Sequence, residues 1–526
     1  MERISDHRPA ADVYPITQNG RVEMLSGVGC FTSACAITLY LGGALPSLGL
    51  FSLTAEPAQN LVHRDVLTPS GATYVAWRAH ERVEFLASTD AWFRPVNFYI
   101  GPDAAIYMVD YYRMIIEHPE WMSTHTHHSP DLCKGEDRGR IYRIVPETGL
   151  PMPAKIHAGL ASDLELVGKL ASPNIWWRRT AQRLLVDRQS AASVPPLVTM
   201  AETSQSAVAR LHALWTLFGL HKLDPKLIRK ALDDPDAGVR ENAIILAEPL
   251  LSSPGLLDEV LRLEHDPNSR VQFQLLCTLG GVSTPASRAA QERLLARGIE
   301  DPWMQIAALS ASSERAPQFF EAARQFTTKK TDARATFFRQ VASVIGARKK
   351  ATEIRRVVES VVHVPEDGTS WWRAASLEGL AQRLGGGADR RGLKNENLGQ
   401  ELLLNLFETS DGEVRHAALR LLSVAGLPAK SSSGSATRHR LGRKERCRSG
   451  SARRCVGLPR IKRSRKPRTA VQAIDRCETA RSGPGCSCTR PGDRQRSRGG
   501  SLLHSPLARD DARRPRRSRR CDVPRS

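Results

Sequence analysis

Three features of this 526-residue sequence predict an α+β multidomain fold. Strand runs broken by turn residues precede residue 150, a helical motif recurs eight times between residues 178 and 418, and a basic C-terminus lacks aromatic residues. They divide the chain into a sheet-forming part at 1–150, an α-solenoid at 155–426 and a disordered Arg-rich tail at 430–526.

The strongest strand signal is the run from Trp92 to Arg113. Phe98 to Ile100 and Ile106 to Val109 are β-branched and aromatic, and Gly101, Pro102 and Asp103 between them supply the dihedrals and side-chain hydrogen bonds of a tight turn. A third strand follows at Arg138 to Pro146, where Pro146 forbids continuation. Three antiparallel strands in such a span are the size of one propeller blade, so residues 1–150 read as a partial β-propeller.

The helical motif is an Arg or Gln followed three residues later by a small or apolar residue. It occurs at Arg178, Arg210, Arg240, Gln272, Gln305, Arg339, Arg373 and Arg415, at steps of 30 to 42 residues. The clearest copy runs from Asp234 to Ala247. Asp234 is expected to cap the helix with Pro235 at its first turn, and Val239, Ala243 and Leu246 form one apolar stripe. Asp266-Pro267 and Asp301-Pro302 repeat that start, and Ser172-Pro173 uses Ser as the cap. This is the HEAT pattern, in which each repeat buries its stripe against its neighbours. Trp176, Trp177, Trp215, Trp303, Trp371 and Trp372 fall at or near the stripe. They read as core packing, with the pair Trp371 and Trp372 open to a second reading as a protein contact patch.

Net charge of +21 would suggest a nucleic-acid binder until it is placed along the chain. The tail holds 29 of the 76 Lys and Arg but only 7 of the 55 Asp and Glu, and six of the ten cysteines, so residues 1–429 are close to neutral. With no Phe, Trp or Tyr, the tail lacks the apolar surface to offset chain entropy. Three readings are open: a basic arm for nucleic acid, which has no stacking aromatic; a disulfide or zinc module, for which Cys486 and Cys488 lack a second pair at ligand spacing; and an out-of-frame translation product. The abrupt break after the helix at Val414 to Val424 favours the third, and nucleic acid is not the expected partner.

The runs at 31–35 (Phe-Thr-Ser-Ala-Cys), 60–67 (Asn-Leu-Val-His-Arg-Asp-Val-Leu), 84–97, 116–121 and 137–144 (Asp-Arg-Gly-Arg-Ile-Tyr-Arg-Ile) resemble a family of bacterial membrane-bound dehydrogenases. That resemblance spans residues 20 to 426. It implies a propeller similar to glucose/sorbosone dehydrogenases, a HEAT-repeat domain and a cytochrome c domain with haem c bound through Cys-x-x-Cys-His. Against it, the chain starts near the last one or two blades, carries Ala104 where the family has the glycine of Gly-Pro-Asp-Gly, and contains no Cys-x-x-Cys-His. The expectation is a chain truncated at both ends that carries no cofactor of its own.

Candidate chemistry is sparse. His63, Arg94, Arg113 and His118 stand at strand ends, where the resemblance implies a histidine base and an arginine that steadies developing charge. The bland alternative is that Arg94 and Asp110 tie strands together. His125, His127, His128 and Cys133 are the one metal-like cluster, read here as a polar insertion and not as a metal site. Gly27 to Ala55 is uncharged over 29 residues, yet Gly42, Gly43, Pro46 and Gly49 interrupt it, and no membrane span or export signal is expected, although the resemblance implies an exported or membrane-associated protein. The sequence is therefore read as an interaction scaffold meeting a protein partner through its solenoid, with a sugar or alcohol dehydrogenase component as the alternative.

Because no residue of the tail can anchor a core, deleting residues 430–526 is expected to leave the melting temperature of the chain unchanged. A large fall in a calorimetric scan would refute this.

Overall fold

The computed structural model describes residues 12–17, 29–116, 130–152, 155–311, 313–363, 370–385, 398–408 and 411–425. The tail at 430–526 lies outside these residues.

Eight described strands make two antiparallel sheets. The first is a meander of β1 (Cys35–Leu39), β2 (Phe51–Glu56), β3 (Leu61–Ser70) and β4 (Thr73–Arg78), with the short β5 (Leu86–Ala87) also paired to β3. The second is β6 (Pro95–Ile100), β7 (Ile106–Asp110) and β8 (Arg140–Ile144), as the turn and strand signals predict. The alternation of side chains places Phe51, Leu53 and Val62 of one sheet against Phe98, Ile106 and Met108 of the other, and all six are buried. The uncharged run that reads as a candidate membrane span is β1, a 3-10 turn and β2 over its described part, and among the described residues no helix is long and apolar enough to cross a membrane.

The Gly101–Ala105 turn holds more than its own hairpin. Gly101 N donates to Ala105 O at 2.9 Å, and Asp103 accepts from Arg143 Nε at 2.7 Å and from the Tyr107 hydroxyl at 3.1 Å. Ala104 sits at φ 66°, a left-handed conformation that costs a residue with a Cβ about 1 kcal/mol. Its carbonyl accepts from the Tyr40 hydroxyl at 2.8 Å.

Sixteen described helices follow as eight pairs. They are α1 (Asp163–Lys169) with α2 (Ile175–Arg188), α3 (Val194–Thr203) with α4 (Ala207–Gly219), α5 (Pro225–Leu232) with α6 (Ala237–Ala247), and α7 (Leu256–Arg262) with α8 (Ser269–Leu279). Then come α9 (Pro285–Gly298) with α10 (Pro302–Ser310), α11 (Ala316–Phe326) with α12 (Asp332–Ala347), α13 (Ala351–Val362) with α14 (Ser370–Gly385), and α15 (Gln400–Asn405) with α16 (Gly412–Ala425). The eight motif residues fall one in the second helix of each pair. Val239, Ala243 and Leu246 are buried as the stripe requires, and so are Trp371 and Trp372, which pack on Phe338 and, for Trp372, Phe320. The contact-patch reading of that pair is thereby corrected to core.

The motif residue explains why the repeat is kept. Arg178, Arg210, Arg240, Gln272 and Gln305 each donate to the backbone carbonyl six residues earlier, at Ser172, Ser204, Asp234, Asp266 and Ile299, over 2.7 to 2.8 Å. Arg210 also forks onto Asp234 of the next repeat at 2.6 Å and 2.6 Å, and Arg240 onto Asp266 at 2.6 Å and 2.9 Å.

These bonds shift three of the four expected caps. The residue that accepts the first helical amides is Asp236, Asn268 and Asn174, two positions after Asp234, Asp266 and Ser172. The earlier side chain instead accepts the N–H of the cap, as Asp234 does from Asp236 at 2.8 Å, and is thereby aimed at the arginine of the preceding repeat where there is one. Asp301 alone caps as predicted, with Pro302 first in its helix.

Asp266 is almost fully shielded within its pair, whereas Asp233, paired with Arg262 at 3.2 Å, is two-thirds exposed. Asp266→Ala is expected to cost about 3 kcal/mol in urea unfolding because it strands a shielded guanidinium. Asp233→Ala is expected to stay within about 0.5 kcal/mol; equal effects would refute the ladder's role.

Candidate functional site

The sequence candidates are resolved by where their polar atoms go. His63 and Asp65 lie two apart on β3 and so share a face, Asp65 stands opposite Arg78 on β4, and Glu84 arrives from the loop beyond. The buried imidazole has Glu84 Oε2 at 2.6 Å from Nδ1 and Asp65 Oδ1 at 3.1 Å from Nε2. Arg78 donates to the other Glu84 oxygen at 3.0 Å, which also accepts from Tyr14 N at 3.0 Å. Burial opposes charge on His63, but the hydrogen bonds from Asp65 and Glu84 and their negative charge outweigh it and hold the ring above the ordinary histidine range. Glu84 is buried too, and His63 and Arg78 hold its carboxyl below its usual range. Both ring nitrogens of His63 thus face carboxylates inside the fold, and Glu84 and Arg78, bonded to Tyr14 N and to the Asp12 carbonyl, tie the N-terminal segment to the first sheet.

Arg94 is buried and spends its guanidinium on three backbone carbonyls: Arg113 at 3.0 Å, Pro57 at 2.9 Å and Met114 at 2.8 Å. Its own N–H donates to Asp110 at 2.8 Å, and burial raises the Asp110 carboxyl. Arg113 lies 4.5 Å over the Tyr111 ring and donates to the Tyr112 carbonyl at 3.2 Å. Arg94 and Arg113 thus meet through backbone, in a strand-tying arrangement. His118, His125, His127 and His128 lie outside the described residues. Cys133 closes a 3-10 turn. Among the described residues no group of three His, Cys, Asp or Glu could hold a metal ion.

A different region gathers accessible charge. The second helices of the last three repeats, α12, α14 and α16, border two adjoining recesses of about 550 and 480 Å³. Small residues, among them Ala335, Ala374, Ala375 and Ala381, line them, and Arg339, Glu378 and Arg420 are common to both. The helices sit close: a Cβ on Gly379 would lie 2.1 Å from the Arg339 carbonyl oxygen, so only glycine admits this approach. Sequence reading missed the region because Arg339 there counts as one more motif residue. The signal available was the position five residues further along the helix, which is Trp215, Ile245, Cys277, Ser310 and Val344 in the middle repeats but charged in the first, at Arg183, and in the last two, at Glu378 and Arg420.

The fold is therefore that of a helical-repeat protein with an N-terminal two-sheet module. Residues 1–148 match the family model of a domain of unknown function, DUF7133. No curated protein matches the chain. Among solved structures, the chain is similar to one from the study of Kap95p binding and the switch loops of RanGDP, with 13% identity and a TM-score of 0.27 over 50% of this chain and 42% of that one. It is also similar to one from the study of a phosphorylation switch between cadherin and β-catenin, with 14% identity and a TM-score of 0.25 over 53% and 62%. A third is a designed armadillo repeat protein, with 14% identity and a TM-score of 0.19 over 50% and 100%. The chain thus spans less than two thirds of the length of the first two.

The charge cluster gives a pH test. His63 contributes stability that is fully present below its unfolded value near 6.5 and is lost as pH rises through its raised folded value. Glu84 contributes stability present above 4.5 and lost as pH falls through its depressed value. The gap in melting temperature between the native chain and His63→Gln is expected to be widest between those two values and to narrow toward alkaline pH. A gap that does not change with pH would show that His63 is neutral.

Proposed function

We propose that this protein is an interaction scaffold: a HEAT-like solenoid that receives a protein partner, capped by two sheets that carry no active chemistry in this chain. One observation carries the reading. Two of the three described catalytic candidates, His63 and Arg94, spend their polar atoms inside the fold, while accessible charged side chains converge on the recess of the last three repeats. Repeat proteins offer such extended surfaces because each helix pair adds to a continuous face.

In the same reading the two sheets are neighbouring blades of a propeller remnant, which their up-and-down meanders and face-to-face packing support. The resemblance to membrane-bound dehydrogenases would place haem c on a domain bearing Cys-x-x-Cys-His. This sequence has none, so the proposal assigns the chain no cofactor, and nucleic acid is not its partner.

The purified chain is expected neither to bind haem covalently nor to reduce an artificial electron acceptor with sugars, with or without added quinone and calcium. Turnover abolished by His63→Ala or His118→Ala would overturn the scaffold reading and restore the dehydrogenase component.

A further inference from the structure

In four other rungs of the ladder the motif residue faces inward. The side chains of Arg210 and Arg240 are 11% and 14% exposed, and Gln305 and Arg373 are buried. Arg339 occupies the same position in its repeat, yet its side chain is 40% exposed. The carbonyl six residues before it, at Ala333, is taken by Gln305 of the preceding repeat at 2.8 Å. Arg339 instead turns into the recess and reaches Glu378 through a single hydrogen bond from Nε at 3.2 Å.

Across the recess, Arg420 is exposed and makes no ion pair among the described residues. The smaller recess is therefore lined by two guanidinium groups and one carboxylate, with only one pair made, while the larger adds Lys330, Asp332, Glu413 and His416. The remaining acids are matched in place: Glu413 has Lys330 at 4.0 Å, and Asp332 opens helix α12, where the helix dipole favours it. Guanidinium groups pair with carboxylates through two parallel hydrogen bonds, and that geometry is left unused by Arg420 and by the terminal nitrogens of Arg339. The small side chains between them leave room for an extended backbone.

We propose that the recess bordered by α12, α14 and α16 receives a carboxylate-bearing segment of a partner protein, held between Arg339 and Arg420, with Glu378 as the internal competitor that the incoming acid displaces. This rests on the scaffold reading and adds the chemistry of the partner. The smaller recess decides the sign: with two guanidinium groups and one carboxylate it is positive, so a basic segment there would meet one carboxylate already engaged and one guanidinium that is not.

The full-length chain can be titrated with a fluorescein-labelled extended Glu-Ser peptide and with its Lys-Ser counterpart, followed by anisotropy. Arg420→Glu is expected to weaken the acidic peptide by about tenfold or more, whereas Glu378→Gln, which frees Arg339, is expected to strengthen it. Opposite signs from two exposed substitutions exclude a common folding defect, and every other charge in the chain stays constant. Unchanged affinity in Arg420→Glu would overturn the proposal, since the acidic peptide would then be bound elsewhere. Preference for the Lys-Ser peptide, lost in Glu378→Gln, would overturn the acidic partner while leaving the scaffold standing. The scaffold itself fails only on the separate finding of turnover.

Discussion

The solenoid depends on one device: a long polar side chain in the second helix of a repeat that satisfies the carbonyl six residues upstream and, where it is arginine, can also hold the next repeat. A solenoid has no long-range contacts to share load, so each junction must be stable by itself. Apolar stripes supply most of the energy but do not fix register, because alanine and leucine pack in several offsets. A bidentate pair such as Arg240 with Asp266 fixes it, and being nearly shielded from water it penalises any slip that leaves one partner alone. The first rung shows the same geometry with a different acceptor. Arg178 meets His212 Nε2 at 3.3 Å, and burial together with Arg178 and Arg179 pushes that imidazole down to about 4, so it is neutral and can accept.

The sheets are attached to this ladder at its first rung. Asn174 caps α2 with its Oδ1 and donates through Nδ2 to the carbonyls of Gly101 at 2.9 Å and Pro102 at 3.2 Å, and the Trp177 indole also donates to Pro102 at 3.0 Å. One side chain thus ends a helix and docks a hairpin. Further along, the β3–β4 hairpin reaches the fourth and fifth repeats, where Asp301 caps α10 with one oxygen and accepts from Ala72 N with the other, and Arg270 donates to the Tyr74 hydroxyl. The two modules therefore share cap residues, which ties the orientation of the sheets to the repeats.

How much of this could be read beforehand follows from the range of each interaction. The repeat period, the β6–β7 turn and the stripe of α6 are set by residues within one or two turns of one another, and all were legible. Three of the four caps lie two residues beyond the place the local rule for a helix start gives them, and the preference of Asp234 for Arg210 of the preceding repeat is invisible to such a rule. Strands β1 and β2 are harder to place for a related reason: they lie in the uncharged run at 27–55, whose apolar length also admits a membrane span until its glycines and proline and its strand partners are taken into account. For His63 the sequence offered a polar residue at a strand, but its ionisation is set by Glu84, 21 residues away, and Asp65 together.

Polar freedom is distributed unevenly as a result. In the sheets, Arg94 is fully bonded to carbonyls and the carboxylates around His63 are bonded to His63, Arg78 and Tyr14, so a ligand there would have to break native hydrogen bonds before making its own. Such a site begins with a deficit of roughly 1 to 3 kcal/mol for each buried group left without a partner. In the last repeats the balance reverses, because Arg420 is already in water and Arg339 gives up a single exposed bond. Binding chemistry is thus cheapest where the ladder lets go of its arginine, and the proposed solenoid site rests on that physical asymmetry more than on any motif.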